Sequence, residues 1–402
     1  MLRLIFLSLI ASACRPAPAA PPPEAPQPPP AEDRKTAFAP VSASPQPAPR
    51  SPSERERALA ERCGQPDAAL GRVASDLVRS LETAGTAPDA AALTRSLRRQ
   101  GAPYVWPHAW TLQGADEADI DQRFSHFLAS LVTTGERRCG VAVRERNGRA
   151  VVAAVTADAL ADLAPLPTRV RVGSWISVEG VLLVPADAAK VVVLGPRSAP
   201  RPLPTSFHER RVRARFAADA PGRWLVQVLA TVEGGPRPVL EAAVFAGVAP
   251  AYDAEPAAPG EAVAPTEADP ATALYRMLQA ARASERLAPL RRDAELDRLA
   301  HDHAASMRRA ERLGHDVGAG DPTGRLLAAG VAASLAGENV AHAASVVHAH
   351  RALWSSPAHR ANMLSPHFDS IGIGVVRDAK GSFWVCQLFT RTPPSAGVTP
   401  HP

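Results

Sequence analysis

The sequence predicts an α+β protein with three folded regions behind a Pro-rich leader. Apolar residues recur at helical spacing near both ends, over 54–131 and again over 271–354. Between them, over 166–248, the period shortens to that of strands separated by turn residues. Each helical block closes on a glycine-containing strand pair: Gly140-Val141-Ala142-Val143 before Asn147-Gly148, and Gly372-Ile373-Gly374-Val375 before Lys380-Gly381. At 402 residues the chain has room for two or three domains, and 46% hydrophobic against 5% aromatic residues predicts a small-sided core.

Met1 to Ala13 reads as an export signal. Arg3 supplies the positive end, and Leu4 to Ile10 an apolar core shorter than the about 20 residues that span a bilayer. Ala11-Ser12-Ala13-Cys14 resembles a bacterial lipobox, with Ala11 where Leu is usual. That resemblance implies lipidation at Cys14, a membrane anchor and a cell-envelope lipoprotein. The competing reading is an ordinary signal peptide cut after Ala13 and a secreted product. Residues 14–53 hold the runs Pro21-Pro22-Pro23 and Pro28-Pro29-Pro30. Such a tether samples polyproline geometry and reaches on the order of 100 Å, at about 3.1 Å per residue.

The first folded region covers 54–165. Ser53-Glu54-Arg55-Glu56 is a capping box that opens a helix toward Cys63. Leu70, Val73, Leu77, Val78 and Leu81 form one helix face, and Phe124, Phe127, Leu128 and Leu131 another. His126 is expected half-buried on the latter. Strands at 139–143 and 150–155 meet through Asn147-Gly148, a hairpin signal. An exported chain permits a Cys63–Cys139 bridge, and Cys386, in an apolar strand, is expected to pack as a small hydrophobe.

Six or seven short strands fill 166–248, punctuated by Gly180, Pro196, Pro221-Gly222 and Gly234-Gly235. This pattern predicts a small β-sandwich of immunoglobulin-like type, and it carries no visible chemistry. Residues 249–269 read as a second linker, 270–391 as the last domain and 392–402 as a tail.

The last domain opens with a helix over 271–284, followed by Pro289-Leu290 and a second helix over 293–312 with Leu296, Leu299, Ala300, His303, Ala304 and Met307 on one face. His303 there reads as a hydrogen-bonded core histidine. Downstream come Gly337-Glu338-Asn339, then Trp354-Ser355-Ser356-Pro357-Ala358-His359-Arg360-Ala361-Asn362-Met363-Leu364, then Ile371-Gly372-Ile373-Gly374. Pro357 starts a new turn after a helix that ends in Trp354. The glycines of the final strand call for something packed closely against it.

Together these three blocks resemble the CAP superfamily of cysteine-rich secretory, antigen 5 and pathogenesis-related 1 proteins, in its bacterial SCP-like branch. The resemblance implies an α-β-α sandwich over about 270–391. Because helices followed by a hairpin is also the CAP order, the first region reads as a degenerate CAP-like copy, without a Gly-Glu-Asn step or a His-Arg-x-Asn block. Carried over residue by residue, the resemblance places His315, Glu338 and His359 in one cleft, with Asn339, Asn362 and Trp354 as cleft or structural residues. Two imidazoles and a carboxylate suit a divalent metal such as zinc, or a polar network in which Glu338 fixes a histidine tautomer. Ser355 and Ser356 stand where animal members carry a second Glu. His342, His348 and His350 match no motif position and read as solvated.

The formal charge of +5 comes almost entirely from Arg, with Lys only at 35, 190 and 380. No basic run interleaves with aromatics, so nucleic acid is not expected as a partner. Three functions compete. The first is a non-catalytic envelope protein binding a lipid, glycan or protein. The second is a metal-assisted hydrolase or peptidase using the same cleft, and the third a purely structural cleft. Against the second, the sequence holds no His-Glu-x-x-His, no Gly-x-Ser-x-Gly and no Cys placed near a His.

Overall fold

A computed structural model describes residues 52–393 except 87–89, 106, 147–148, 197–198, 233–234, 253–254 and 267–268. The leader with Cys14 and the Asn147-Gly148 turn therefore lie outside the described residues. None of the described helices is long and apolar enough to cross a membrane.

The first region contains α1 (Glu54–Cys63), β1 (Gln65–Pro66), α2 (Ala68–Ala84), α3 (Ala90–Gln100), β2 (Pro107–Ala115), α4 (Glu117–Ser130), β3 (Glu136–Arg146) and β4 (Arg149–Ala159). The expected capping box forms at α1, with Ser53 Oγ accepting from the Glu56 amide and the Glu56 carboxylate accepting from the Ser53 amide. The sheet runs β1-β3-β4-β2. Leu70, Val73, Leu77, Leu93 and Leu97 cover one face, and Leu59, Cys63, Ile120 and Phe124 the other. Cys63 and Cys139 are bridged, tying α1 to β3 across 76 residues of sequence. His126 is exposed rather than half-buried, because Phe124 and Phe127 take the inner side of α4.

The middle region contains β5 (Ala161–Leu163), β6 (Arg169–Val170), β7 (Trp175–Leu182), β8 (Ala188–Leu194), β9 (Arg201–Pro202), β10 (Thr205–His208), β11 (Arg211–Ala217), β12 (Gly222–Val232) and β13 (Gly235–Ala246). Two sheets, β10-β11-β7-β5 and β6-β13-β12-β8-β9, close over one core that includes Ile176, Val178, Val191, Val193, Phe216, Trp224 and Val226. In β7 the period of two is explicit, with Ile176, Val178 and Leu182 buried and Ser177, Glu179 and Val181 exposed. Leu160 and Ala161 already belong to this core, so the boundary falls near 160, not 165.

The last region contains α5 (Pro270–Ser284), β14 (Arg291–Arg292), α6 (Ala294–Arg309), α7 (Pro322–Ala328), β15 (Leu335–Ala343), α8 (Val346–Ser355), α9 (Pro357–Met363), β16 (Ser370–Arg377) and β17 (Phe383–Arg391). Its sheet runs β14-β16-β17-β15. On one face lie Leu274, Leu278, Leu353, Trp354 and Met363, and on the other Leu296, Ala300, Met307 and Leu326. This is the expected three-layer α-β-α sandwich.

The first and last regions repeat one topology. In both, a two-residue edge strand pairs parallel with the first arm of the hairpin, and the second arm pairs antiparallel with an earlier strand. The Asp67 amide donates to the Cys139 carbonyl as the Asp293 amide does to that of Ile371. Those aspartates cap α2 and α6. Gly140 follows Cys139 and Gly372 follows Ile371. A Cβ on Gly140 would lie 2.1 Å from the Leu70 carbonyl carbon, and one on Gly372 2.0 Å from that of Leu296. Following the ladders, Ala109 of β2 holds the place of Glu338 in β15.

The stretch expected to be a free linker is instead docked. Ala258 is buried in the core of the last region, and a 3₁₀ turn follows at Glu261–Thr266. Glu261 pairs with Arg351, and the Pro259 carbonyl meets His350 Nε2 at 2.9 Å. His350 is consequently buried, not solvated, whereas His342 and His348 are exposed as expected. The segment's Pro-, Ala- and Glu-rich composition reads as a linker, but small side chains also permit close approach, and Gly260 packs directly on the α5 backbone at Met277.

Candidate functional site

β15 is an edge strand, and its alternation sends Glu338 and Asn339 to opposite faces. Glu338 points toward α6 and α7 and is only 5% exposed. A carboxylate so buried needs compensating charge and donors. His315 Nδ1 lies 2.8 Å from Oε1, and His303 Nε2 lies 3.7 Å away. On Oε2 the Arg325 guanidinium forms an ion pair, and the Cys386 thiol donates at 3.3 Å. Burial alone would raise the Glu338 pKa, but the His315 hydrogen bond and the Arg325 charge outweigh it and hold the group below the usual range.

Short-range structure delivers these partners. Asp321 caps α7 through the Gly324 amide, with Pro322 in the first turn. This directs Arg325 inward, where it also donates to the carbonyls of His315, at 2.6 Å, and Gly320, at 2.7 Å. His303 does act as a core histidine. Its Nε2 meets the Gly314 carbonyl at 2.9 Å, and burial lowers its pKa.

On the other face Asn339 and Asn362 fasten α9 to β15. Asn339 Nδ2 donates to the His359 carbonyl and to Gln387 Oε1, both at 3.1 Å. Asn362 Nδ2 donates to Asn339 Oδ1 at 2.9 Å and to the Glu338 carbonyl at 3.1 Å. Gly337 is required beside them, since a Cβ there would meet the Phe368 ring at 2.6 Å. Trp354 packs in the core under the Arg360 guanidinium, 3.7 Å from its ring centroid. His359 is half-buried, and burial together with nearby His315 pushes its pKa down to about 4.

His315, Glu338 and His359 thus converge around the edge of β15, but not as three metal ligands. Both Glu338 oxygens are engaged, and a dication bound there would be set against the Arg325 guanidinium. Among the described residues no three His, Cys, Asp or Glu side chains are placed to hold an ion. Glu338 instead orients the His315 ring through Nδ1, and among the described residues neither Nε2 of His315 nor the His359 ring makes a hydrogen bond. Arg325, His303 and Gln387 belong to the network although no motif pointed to them. The one available signal was that a buried Glu requires a cation. Cys386 is buried as expected but is also a donor, not only a packed apolar group.

A family model, described as the cysteine-rich secretory protein family (CAP), matches residues 275–388. The C-terminal domain belongs to the CAP superfamily. No curated protein matches the chain. Among solved structures, an outer surface protein of Borrelia burgdorferi is 19% identical, with 31% of this chain and 93% of that one covered at a TM-score of 0.30. An SCP-domain extracellular protein of Bacillus anthracis is 14% identical, with 69% and 93% covered at 0.29. A cysteine-rich secretory protein of Staphylococcus aureus is 15% identical, with 57% and 86% covered at 0.27. At these values the likenesses carry no argument about function. Within the CAP domain, the Gly-Glu-Asn step divides its work: room for Phe368, a charge for Arg325, and a tie to α9.

Proposed function

We propose that the protein is an exported, lipid-tethered envelope protein whose CAP domain binds a lipid, glycan or protein ligand without catalysis, with His315 and His359 as the open groups of its cleft. The observation that carries this reading is the saturation of Glu338. A general base needs a free lone pair facing substrate, and every oxygen of this carboxylate is committed to Arg325, His315 or Cys386. His303 Nδ1, Arg325 Nε and Gln387 Nε2 are buried polar atoms without hydrogen-bond partners among the described residues, which supports a polar ligand or ordered water nearby. The leader ending in Cys14 supports tethering, and the Cys63–Cys139 bridge supports an oxidising compartment. The two open imidazoles give the cleft a weak affinity for a divalent ion such as zinc, with Glu338 as outer support for His315.

Calorimetric titration of the full chain with zinc chloride tests the cleft. Binding should be weak, vanish in the His315→Ala, His359→Ala double variant, and weaken by about 10-fold or more in Glu338→Gln. An equal response in wild type and double variant would place the metal on exposed His342 and His348 and defeat the reading. The anchor is tested separately by detergent partitioning, from which Cys14→Ser should be lost.

A further inference from the structure

The helix α9 carries His359 and Asn362, yet it lacks a cap of its own. Ser356 stands at its N-cap position, but its side chain accepts no bond from the first turn. A seven-residue helix has little internal stability to spare, and an uncapped N-terminus leaves amide donors without partners. The donor that matters is the Ala358 amide. Its acceptor comes from the β-sandwich: Gln227 Oε1 of β12 lies 3.0 Å away.

Gln227 is 2% exposed and uses its other end as fully. Its Nε2 donates to Glu241 Oε2 at 3.0 Å and, more weakly, to Ser356 Oγ at 3.4 Å. Glu241 is ion-paired with Arg98 of α3 in the first region. Arg98 also holds Glu255 at 3.0 Å, and Arg223 of β12 holds the same carboxylate at 2.6 Å. A single polar cluster therefore joins the first region, the sandwich, the docked segment and the first turn of α9. The sandwich, which shows no chemistry in its sequence, thus aims a buried glutamine at a neighbour's helix.

We propose that the β-sandwich is a working part of the CAP cleft, with Gln227 as a positioning residue that supplies the missing N-cap of α9 and so fixes where His359 and Asn362 stand. The role of the cleft rests on the binding reading above, whereas the cap itself does not.

Amide hydrogen exchange on the full chain decides the matter, with zinc ions as the cleft probe. Gln227→Ala should speed exchange at Ala358 and His359 by at least about 10-fold, while protection in α5 and α6 stays unchanged. Zinc affinity should fall in the same variant. Adding Ser356→Asp gives α9 a side-chain cap from within its own domain, and this second change should restore both protection and zinc affinity without repairing the sandwich contact. Unchanged exchange at Ala358 in Gln227→Ala would overturn the proposal. So would failure of Ser356→Asp to rescue, which would reduce Gln227 to interface packing. If Gln227→Ala does not fold, Ser356→Asp alone still decides, because a helix already capped by Gln227 should gain little from it. Absence of zinc binding in wild type would count against the binding reading and leave the exchange result standing.

Discussion

Glu338 shows how one buried charge organises its surroundings. Replacing it by Gln keeps the shape and leaves the Arg325 guanidinium buried without a counter-charge, a loss of about 3–5 kcal/mol in urea unfolding. A cost under 1 kcal/mol would mean that water already solvates Arg325. Acid should act in the same direction. The His359 pKa falls to about 4, so between the unfolded value near 6.5 and about 4 the unfolded chain takes up a proton that the folded chain refuses. Stability thus declines as pH drops through that window, and burial of His303 and His350 adds to the slope. Glu338 acts lower still: its stabilisation is present above pH 4.5, its ordinary pKa, and is lost as pH falls through the lowered folded one. Urea midpoints measured from pH 7 to 4 should fall steadily, and His359→Ala should flatten part of that decline.

At the scale of elements, the sheet–helix spacing rests on glycine. A Cβ on Gly374 would lie 2.1 Å from the Ala300 carbonyl carbon of α6. Gly374→Ala must push the α6 backbone away, and thermal unfolding should show a loss of about 3 kcal/mol or more, the upper part of the overpacking range. In the first region the bridge spans 76 residues. By the chain-entropy argument a loop of that length is worth about 4.5 kcal/mol, so Cys63→Ser with Cys139→Ser should lower stability by about 2–5 kcal/mol. Much of this was legible in the sequence. The Gly372–Gly374 spacing asked for a close neighbour, and α6 is that neighbour. The likeness of the first region to the last was legible in its order of helices then hairpin, but not in β2, where Ala109 replaces Glu338 and no motif marks the strand.

For the whole molecule, the docked segment 255–266 changes where the CAP domain begins. A fragment starting at residue 270 loses the Pro259 carbonyl that satisfies His350, the Glu261 partner of Arg351 and the buried Ala258. It should be less stable than one starting at 255 by about 1–3 kcal/mol, the cost of one unsatisfied buried group. Limited proteolysis of the full chain should likewise spare 255–266. Rapid cleavage there would show that the segment does not stay docked.

The sequence by itself determined the local pieces: capped helices, strands with alternating burial, and the Gly-Glu-Asn and His-Arg-x-Asn blocks that identify the CAP domain. These depend on spacing and side-chain chemistry within a few residues, which a linear reading captures. Only the tertiary structure decided what Glu338 does, where 255–266 docks and what caps α9. Each turns on partners distant along the chain: Arg325 for Glu338, Pro259 for His350 and Gln227, 131 residues before Ala358. A buried polar group must be satisfied, but the sequence does not say by which of many distant donors. Folding alone selects the partner.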